Sequence, residues 1–99
     1  MSVADIEAAL TPHLTELGTL AASVKIDFTD DRLFIDGTQT PARLSHDDSD
    51  ADCTLLITSD NMTRILEGTL DPTMAFMTGK LKVTGSTTVA LKLANIVKP

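Results

Sequence analysis

Two glycines bracket a short strand between two helices, and no other feature of the chain restricts its fold as tightly. From Asp71 to Leu93 the sequence runs D-P-T-M-A-F-M-T-G-K-L-K-V-T-G-S-T-T-V-A-L-K-L. Asp71 is suited to cap a helix, Pro72 to begin it because its missing N–H is not needed there, and Gly79 to end it. Leu81 and Val83 then alternate with Lys80, Lys82 and Thr84 as in a half-buried strand, until Gly85 turns the chain into a second helix. Helix, strand and helix thus meet around soft apolar side chains, Met74, Phe76 and Met77 among them, with no catalytic group between. Such a junction suits a site that holds something apolar.

Upstream, Val3, Ile6, Leu10, Leu14 and Leu17 recur at spacings of three and four, one stripe of an amphipathic helix. Pro12 falls inside the stripe. A proline in a helix interior costs about 3 kcal/mol, so the helix either kinks or restarts with Thr11 as cap and Pro12 as first residue. Gly18 is expected to end it or its last turn. Val24 to Phe28 alternate as a strand, Thr29-Asp30-Asp31 turns the chain into Leu33 to Ile35, and Asp36-Gly37 signals a hairpin before a third strand over Ala42 to Leu44. Cys53 to Ile57 carry apolar side chains toward both faces, which predicts a central strand. Ser59 or Asp60 is expected to cap a helix through Glu67 with Met62, Ile65 and Leu66 on one face, and the last helix carries Val89, Leu93, Ile96 and Val97 on one side. The order predicts an α+β fold, one mostly antiparallel sheet of about five strands covered by helices.

A chain of 99 residues is expected to form one domain over 1–99 that buries roughly two thirds of its unfolded surface. With 42% hydrophobic residues and 22% charged ones, the composition is globular. There is no Trp or Tyr to stack on bases, and fourteen acidic residues outnumber eight basic ones for a net charge of −6, so nucleic acid is excluded as a partner. The same charge disfavours steady adsorption on an anionic membrane and leaves transient contact. One cysteine cannot form an intrachain disulfide, Asp5 and Glu7 stand where a signal peptide would be basic, and no apolar run is long enough to span a bilayer. A cytoplasmic protein is expected.

The residue clusters that could carry chemistry are weak. Ser45, His46 and Asp47 have the triad identities, but neighbours on extended chain point to opposite faces, whereas a triad converges in space. His13, His46 and Cys53 are too scattered for a zinc site. Asp48, Asp50 and Asp52 open like a calcium loop, yet Cys53 stands where glycine is required and Ser59 where a bidentate glutamate is required. Gly79-Lys80 lacks the rest of a phosphate loop. Cys53, among apolar neighbours, reads as an inert buried thiol. No metal, no cofactor and no enzymatic activity are expected.

The run Ala75 to Gly85, A-F-M-T-G-K-L-K-V-T-G, resembles the sterol carrier protein-2 family of lipid-binding domains, in which A-F-(F/M)-x-G-K-L-K-(I/V)-x-G stands in this place. The resemblance extends upstream through Ala51-Asp52-Cys53-Thr54 and Leu66 to Pro72, and downstream through Ala90-Leu91-Lys92-Leu93. In the N-terminal half only the order of elements agrees. Thr78 replaces the family's usual glutamine, and Ser86-Thr87-Thr88 its usual Asn-Met-Gly. The resemblance implies an SCP2-like fold with an apolar tunnel between sheet and helices, which takes fatty acyl chains, sterols or isoprenoid-like lipids and makes or breaks no bond. The lining it implies is Ile65, Leu66, Leu70, Met74, Phe76, Met77, Leu81, Val83, Val89 and Leu93, with Thr78 as a polar contact. The alternative it allows is an accessory module that docks onto an enzyme of lipid or isoprenoid quinone metabolism. Relatives often continue into one more helix, and the ending Val97-Lys98-Pro99 is neither that helix nor a Ser-Lys-Leu-like peroxisomal address. Monomer and homodimer are both compatible, a second copy standing in for the helix.

A void of about 300 Å³ would cost about 7 kcal/mol at roughly 24 cal/mol per Å³, comparable to the whole stability of a domain. The expected cavity must therefore be occupied, collapsed or closed by a partner.

Overall fold

The structure, a computed structural model, describes residues 3–97. Val3–Leu10 form α1, Thr11–His13 a 3-10 turn, and Leu14–Leu17 the short α2, which runs into a second 3-10 turn at Gly18–Leu20. Of the two outcomes open to Pro12, the chain adopts the kink: no side-chain cap forms, and Thr11 Oγ1 donates back to the Glu7 carbonyl at 3.0 Å. The apolar stripe survives it. Ile6, Leu10 and Leu17 are fully buried, with Val3 and Leu14 packed beside them.

Five strands follow, β1 (Ser23–Asp27), β2 (Arg32–Asp36), β3 (Arg43–Ser45), β4 (Cys53–Ile57) and β5 (Leu81–Gly85), with α3 (Ser59–Leu66) and α4 (Pro72–Met77) before β5 and α5 (Thr87–Val97) after it. They form one sheet in the order β3-β2-β1-β4-β5. Every pair is antiparallel except β1 with β4, which run parallel with Val24 opposite Cys53. The sheet is therefore mostly antiparallel but mixed. A parallel neighbour cannot be reached by a tight turn. Residues 46–52 make the passage from the β3 edge to the far side of β1, and three anchors hold them. His46 Nε2 lies 2.8 Å from Glu7 Oε1 on α1, Asp48 Oδ1 lies 3.1 Å from Lys25 Nζ, and Asp52 Oδ2 accepts from the Ser23 N–H at 2.9 Å.

Period-two alternation decides which face is covered. Val24 and Ile26, Leu33 and Ile35, and Cys53, Leu55 and Ile57 all point inward and are buried with Ile6, Leu10, Leu17, Met62, Ile65, Val89, Leu93 and Val97 from the helices. β4 lies inside the sheet, between β1 and β5, as its apolar content suggested, but one place from the edge. Of its outward residues, Thr54 is half-buried and Leu56 is 40% exposed. Apolar residues on both faces of β4 thus reflect one covered face and one exposed leucine. Among the described residues no helix is long and apolar enough to cross a membrane.

Candidate functional site

The cleft-forming half of the molecule is assembled by local chemistry. Thr58, extended at the end of β4, accepts from the Asn61 N–H at 3.1 Å and caps α3, one or two residues ahead of the cap expected from Ser59 or Asp60. Asp71 caps α4 as its sequence indicates: Oδ1 accepts from the Thr73 N–H at 2.8 Å and the Met74 N–H at 3.2 Å, with Pro72 as first helical residue. At the other end Gly79 takes φ +78°, the Lys80 N–H reaches the Ala75 carbonyl at 2.9 Å, and the Gly79 N–H reaches the Phe76 carbonyl at 3.3 Å. This paired pattern is the Schellman closure that a left-handed glycine permits. It throws the chain directly into β5, where Leu81 and Val83 pair with Ile57 and Leu55 of β4. Gly85, at φ +89°, then packs its α-carbon against the Asp52 carbonyl so closely that a side chain would collide with it. Ser86 accepts from the Val89 N–H at 3.3 Å and starts α5.

Between α4, β5 and α5 lies an open cleft of about 210 Å³. Pro72, Thr73 and Phe76 form one bank, Leu81 and Val83 the floor, and Thr87, Ala90, Leu91, Ala94 and Asn95 of α5 the other bank. Adjoining it, and sharing Pro72, Leu81, Ala90 and Ala94, is a smaller inner void of about 30 Å³ bounded by Leu55, Ile57, Met62, Ile65, Leu93 and Val97 and open to a similar degree. Neither space is sealed, so the heavy penalty expected of a closed cavity is not incurred. Among the described residues, Asp71, which caps α4, is the one ionisable side chain lining the cleft, and no Lys, Arg or His lines it.

Phe76, Leu81 and Val83 line this cleft, while Ile65, Leu81 and Leu93 line the inner void. Leu70, with Ile65, borders a broad solvent-open depression along the α3–α4 connection instead. Leu66 packs half-buried against the core and Val89 is buried within it. Met74 and Met77 line neither the cleft nor the void and are 53% and 73% exposed, because a six-residue helix that buries Ala75 must turn neighbouring positions away from the sheet. Thr78 donates its hydroxyl to the Met74 carbonyl at 2.8 Å and closes the helix rather than the cleft. Sequence reading centred on α4 missed the α5 bank. Its signal is a second stripe beside Val89, Leu93 and Val97: Thr87, Leu91 and Asn95 at intervals of four, with the small Ala90 and Ala94 between them.

The other clusters resolve into scaffolding. His46 points its ring nitrogens at Glu7 and Asp31, the latter at 3.7 Å. The hydrogen bond it donates to Glu7, with the nearby charges of Glu7 and Asp31, holds its pKa above the ordinary value. Asp48 is held below the usual carboxylate range by its bond from Lys25 and the charge of Arg32. Burial pushes the Cys53 thiol up, away from nucleophilic character. Among the described residues no group of three or more His, Cys, Asp or Glu is placed to hold a metal ion.

Residues 3–98 match the family model described as the SCP-2 sterol transfer family. Sterol carrier protein 2 from Oryctolagus cuniculus is 40% identical over 53 residues, 54% of this chain and 10% of that protein. The chain thus spans about a tenth of the length of the curated relatives it matches. Among solved structures, one described as UbiJ-SCP2 ubiquinone synthesis protein superposes with a TM-score of 0.74 at 17% identity, over 95% of this chain and 90% of that one. Palmitated SCP2L2 from Aedes aegypti superposes with a TM-score of 0.62 at 18% identity, over 90% of this chain and 91% of that one. At these identities the structures share the fold.

Proposed function

This chain belongs to the SCP-2 sterol transfer family, and from that premise we propose that it is a non-catalytic carrier whose cleft holds the hydrocarbon part of a lipid. The observation that carries the reading is the cleft between α4, β5 and α5, apolar on its floor, mostly apolar on its banks and sharing part of its lining with the inner void. An entering chain would join the two spaces into the tunnel that the family resemblance implies. At about 210 Å³ the cleft is smaller than the roughly 300–1,000 Å³ of ordinary small-molecule pockets, which suits a narrow acyl or isoprenoid chain better than a rigid ring system. Its lining offers the polar side chains of Thr73, Thr87 and Asn95 and, among the described residues, no cation, so an uncharged head group fits there, and a carboxylate is left to water. Binding derives from apolar area removed from water, at roughly 25 cal/mol per Å².

Palmitate on the Aedes aegypti neighbour supports the acyl-chain reading. The ubiquinone-synthesis neighbour supports a second one, an accessory module serving an enzyme of lipid or isoprenoid quinone metabolism. Mass spectrometry of lipid extracted from the purified protein separates the two. The carrier yields a stoichiometric lipid, and added long-chain alcohol or fatty acid at a hundred times its Kd raises stability by about 2.7 kcal/mol. A lipid-free protein whose melting temperature stays fixed across the series, and which copurifies with an enzyme, would establish the module instead.

A further inference from the structure

Pro72, Leu81, Ala90 and Ala94 line both the cleft and the inner void, so they form the passage between the two. Ala90 and Ala94 stand four apart on α5 and therefore on one face of it, and each offers the passage a single methyl group. Beyond them the remaining walls of the void, Leu55, Ile57, Met62, Ile65, Leu93 and Val97, are core side chains, none more than 5% exposed. A chain that passes the alanines therefore runs against the core and stops. Among the described residues, the polar side chains Asp71, Thr73, Thr87 and Asn95 line the cleft and no polar side chain lines the void, so a lipid enters methyl end first.

We propose that Ala90 and Ala94 set the length and shape of the hydrocarbon this protein takes: one unbranched chain whose terminal methyl stops in the inner void, with about eight carbons held between the walls. This inference rests on the lipid-carrier reading and names the ligand within it. A methylene takes up about as much room as a water molecule does in the liquid, roughly 30 Å³. On that scale the cleft of about 210 Å³ holds about seven and the void of about 30 Å³ one more. Each methylene between the walls strengthens binding about fourfold, because its surface leaves water. Carbons beyond that number hang outside the cleft and add nothing. The void also discriminates by shape, since it takes a single terminal methyl and not the paired methyls that end an isoprenoid chain.

The test is displacement of an acyl chain, labelled with a fluorophore at its head-group end, by a series of straight-chain alcohols. Affinity should rise about fourfold with each added carbon up to about eight and then level off. Ala94→Leu adds three carbons at the passage and should move the break to about five; the milder Ala94→Val should move it to about six. Ile57→Val takes one carbon from the wall of the void and should move the break outward to about nine. An isoprenoid alcohol with octanol's main chain and two methyl branches should bind more weakly than octanol, although by area alone it would bind more tightly. Affinity that climbs unbroken to the longest alcohol, a break unmoved by Ala94→Val and Ile57→Val, or tighter binding of the branched alcohol would each overturn the length limit and leave the carrier reading standing. A labelled chain that does not bind, or that no alcohol displaces, would overturn the carrier reading and the length limit with it.

Discussion

Ile6, Leu10, Leu17, Val24, Ile26, Leu33 and Ile35 are wholly buried where α1, α2, β1 and β2 meet, whereas the α4–β5–α5 segment leaves Met74, Phe76, Met77 and Leu91 at least half exposed and fully buries one α4 residue, Ala75. The two regions have similar apolar vocabulary and use it for different ends. In the first, a helical stripe and the alternating faces of two strands interlock, and burial together with the β1–β2 ladder holds them. In the second, α4 is too short to be stable by propensity, and the Asp71 side-chain cap and the backbone closure at Gly79 hold it over a floor that is itself half-buried. Local stability in proteins is uneven, and segments that open or admit ligands come from its low end. The loosely packed bank of the cleft belongs there.

Core truncation should show the largest effect. Leu17→Ala is expected to cost about 2–5 kcal/mol in urea unfolding and to leave lipid affinity in the surviving folded protein unchanged. Phe76→Ala removes a side chain already 51% exposed, so it should cost less than about 1 kcal/mol while lowering lipid affinity several-fold. Equal losses of stability in the two variants would erase the distinction between the regions. If Phe76→Ala instead leaves affinity untouched, the distinction stands and the α4 bank is not a ligand contact.

Asp71→Ala sharpens the comparison at intermediate size. It removes an acceptor from two α4 amides without touching the interlocked core, and the loss of such a cap costs about 1 kcal/mol. Hydrogen exchange should accelerate at Thr73 and Met74 and stay unchanged in β1 and β2. Faster exchange throughout would mean that α4 is part of one cooperative unit with the rest of the protein.

Much of this contrast was readable in the residues before any coordinates. The stripe Val3 to Leu17, the alternation of β1 and β2, the Asp71-Pro72 start and the two glycine stops all act through neighbours in sequence, and the structure reproduces them with shifts of a residue or two, as where β3 begins at Arg43 and not Ala42. What depended on distant packing was harder to read. The orientation of β4 against β1 follows from where residues 46–52 cross, and their anchors, Glu7, Lys25 and Ser23, lie far away in the chain. The exposure of Met74 and Met77 was hidden because apolar residues on a helix read as core until it is known which single position, here Ala75, faces the sheet. The α5 bank was missed for the converse reason: Thr87, Ala90 and Asn95 look like a polar or neutral helix side until α4 stands opposite them.

The smallest expected effect separates the regions by pH. His46 holds the crossing segment to α1, and its pKa is raised above 6.5 first by the hydrogen bond it donates to Glu7 and then by the charges of Glu7 and Asp31. A cation favoured in the folded state contributes stability that is fully present below its unfolded pKa of about 6.5 and is lost as pH rises through the folded value. Asp48, lowered from 3.8 by Lys25 and Arg32, has the opposite sign: its contribution is present above 3.8 and is lost as pH falls through its folded value. Both anchors are therefore engaged together in mildly acidic solution, between those two limits. Because His46 and Glu7 are 49% and 37% exposed, solvent screening should keep the histidine's share below about 1 kcal/mol. His46→Gln should flatten the decline of unfolding free energy on the alkaline side and spare the acid side, whereas Asp48→Asn should do the reverse. Lipid affinity should stay level across the neutral range in both variants, since no histidine lines the cleft. If His46→Gln changed lipid affinity and its pH profile, the crossing segment and the cleft would be energetically coupled, and the two regions would have to be treated as one.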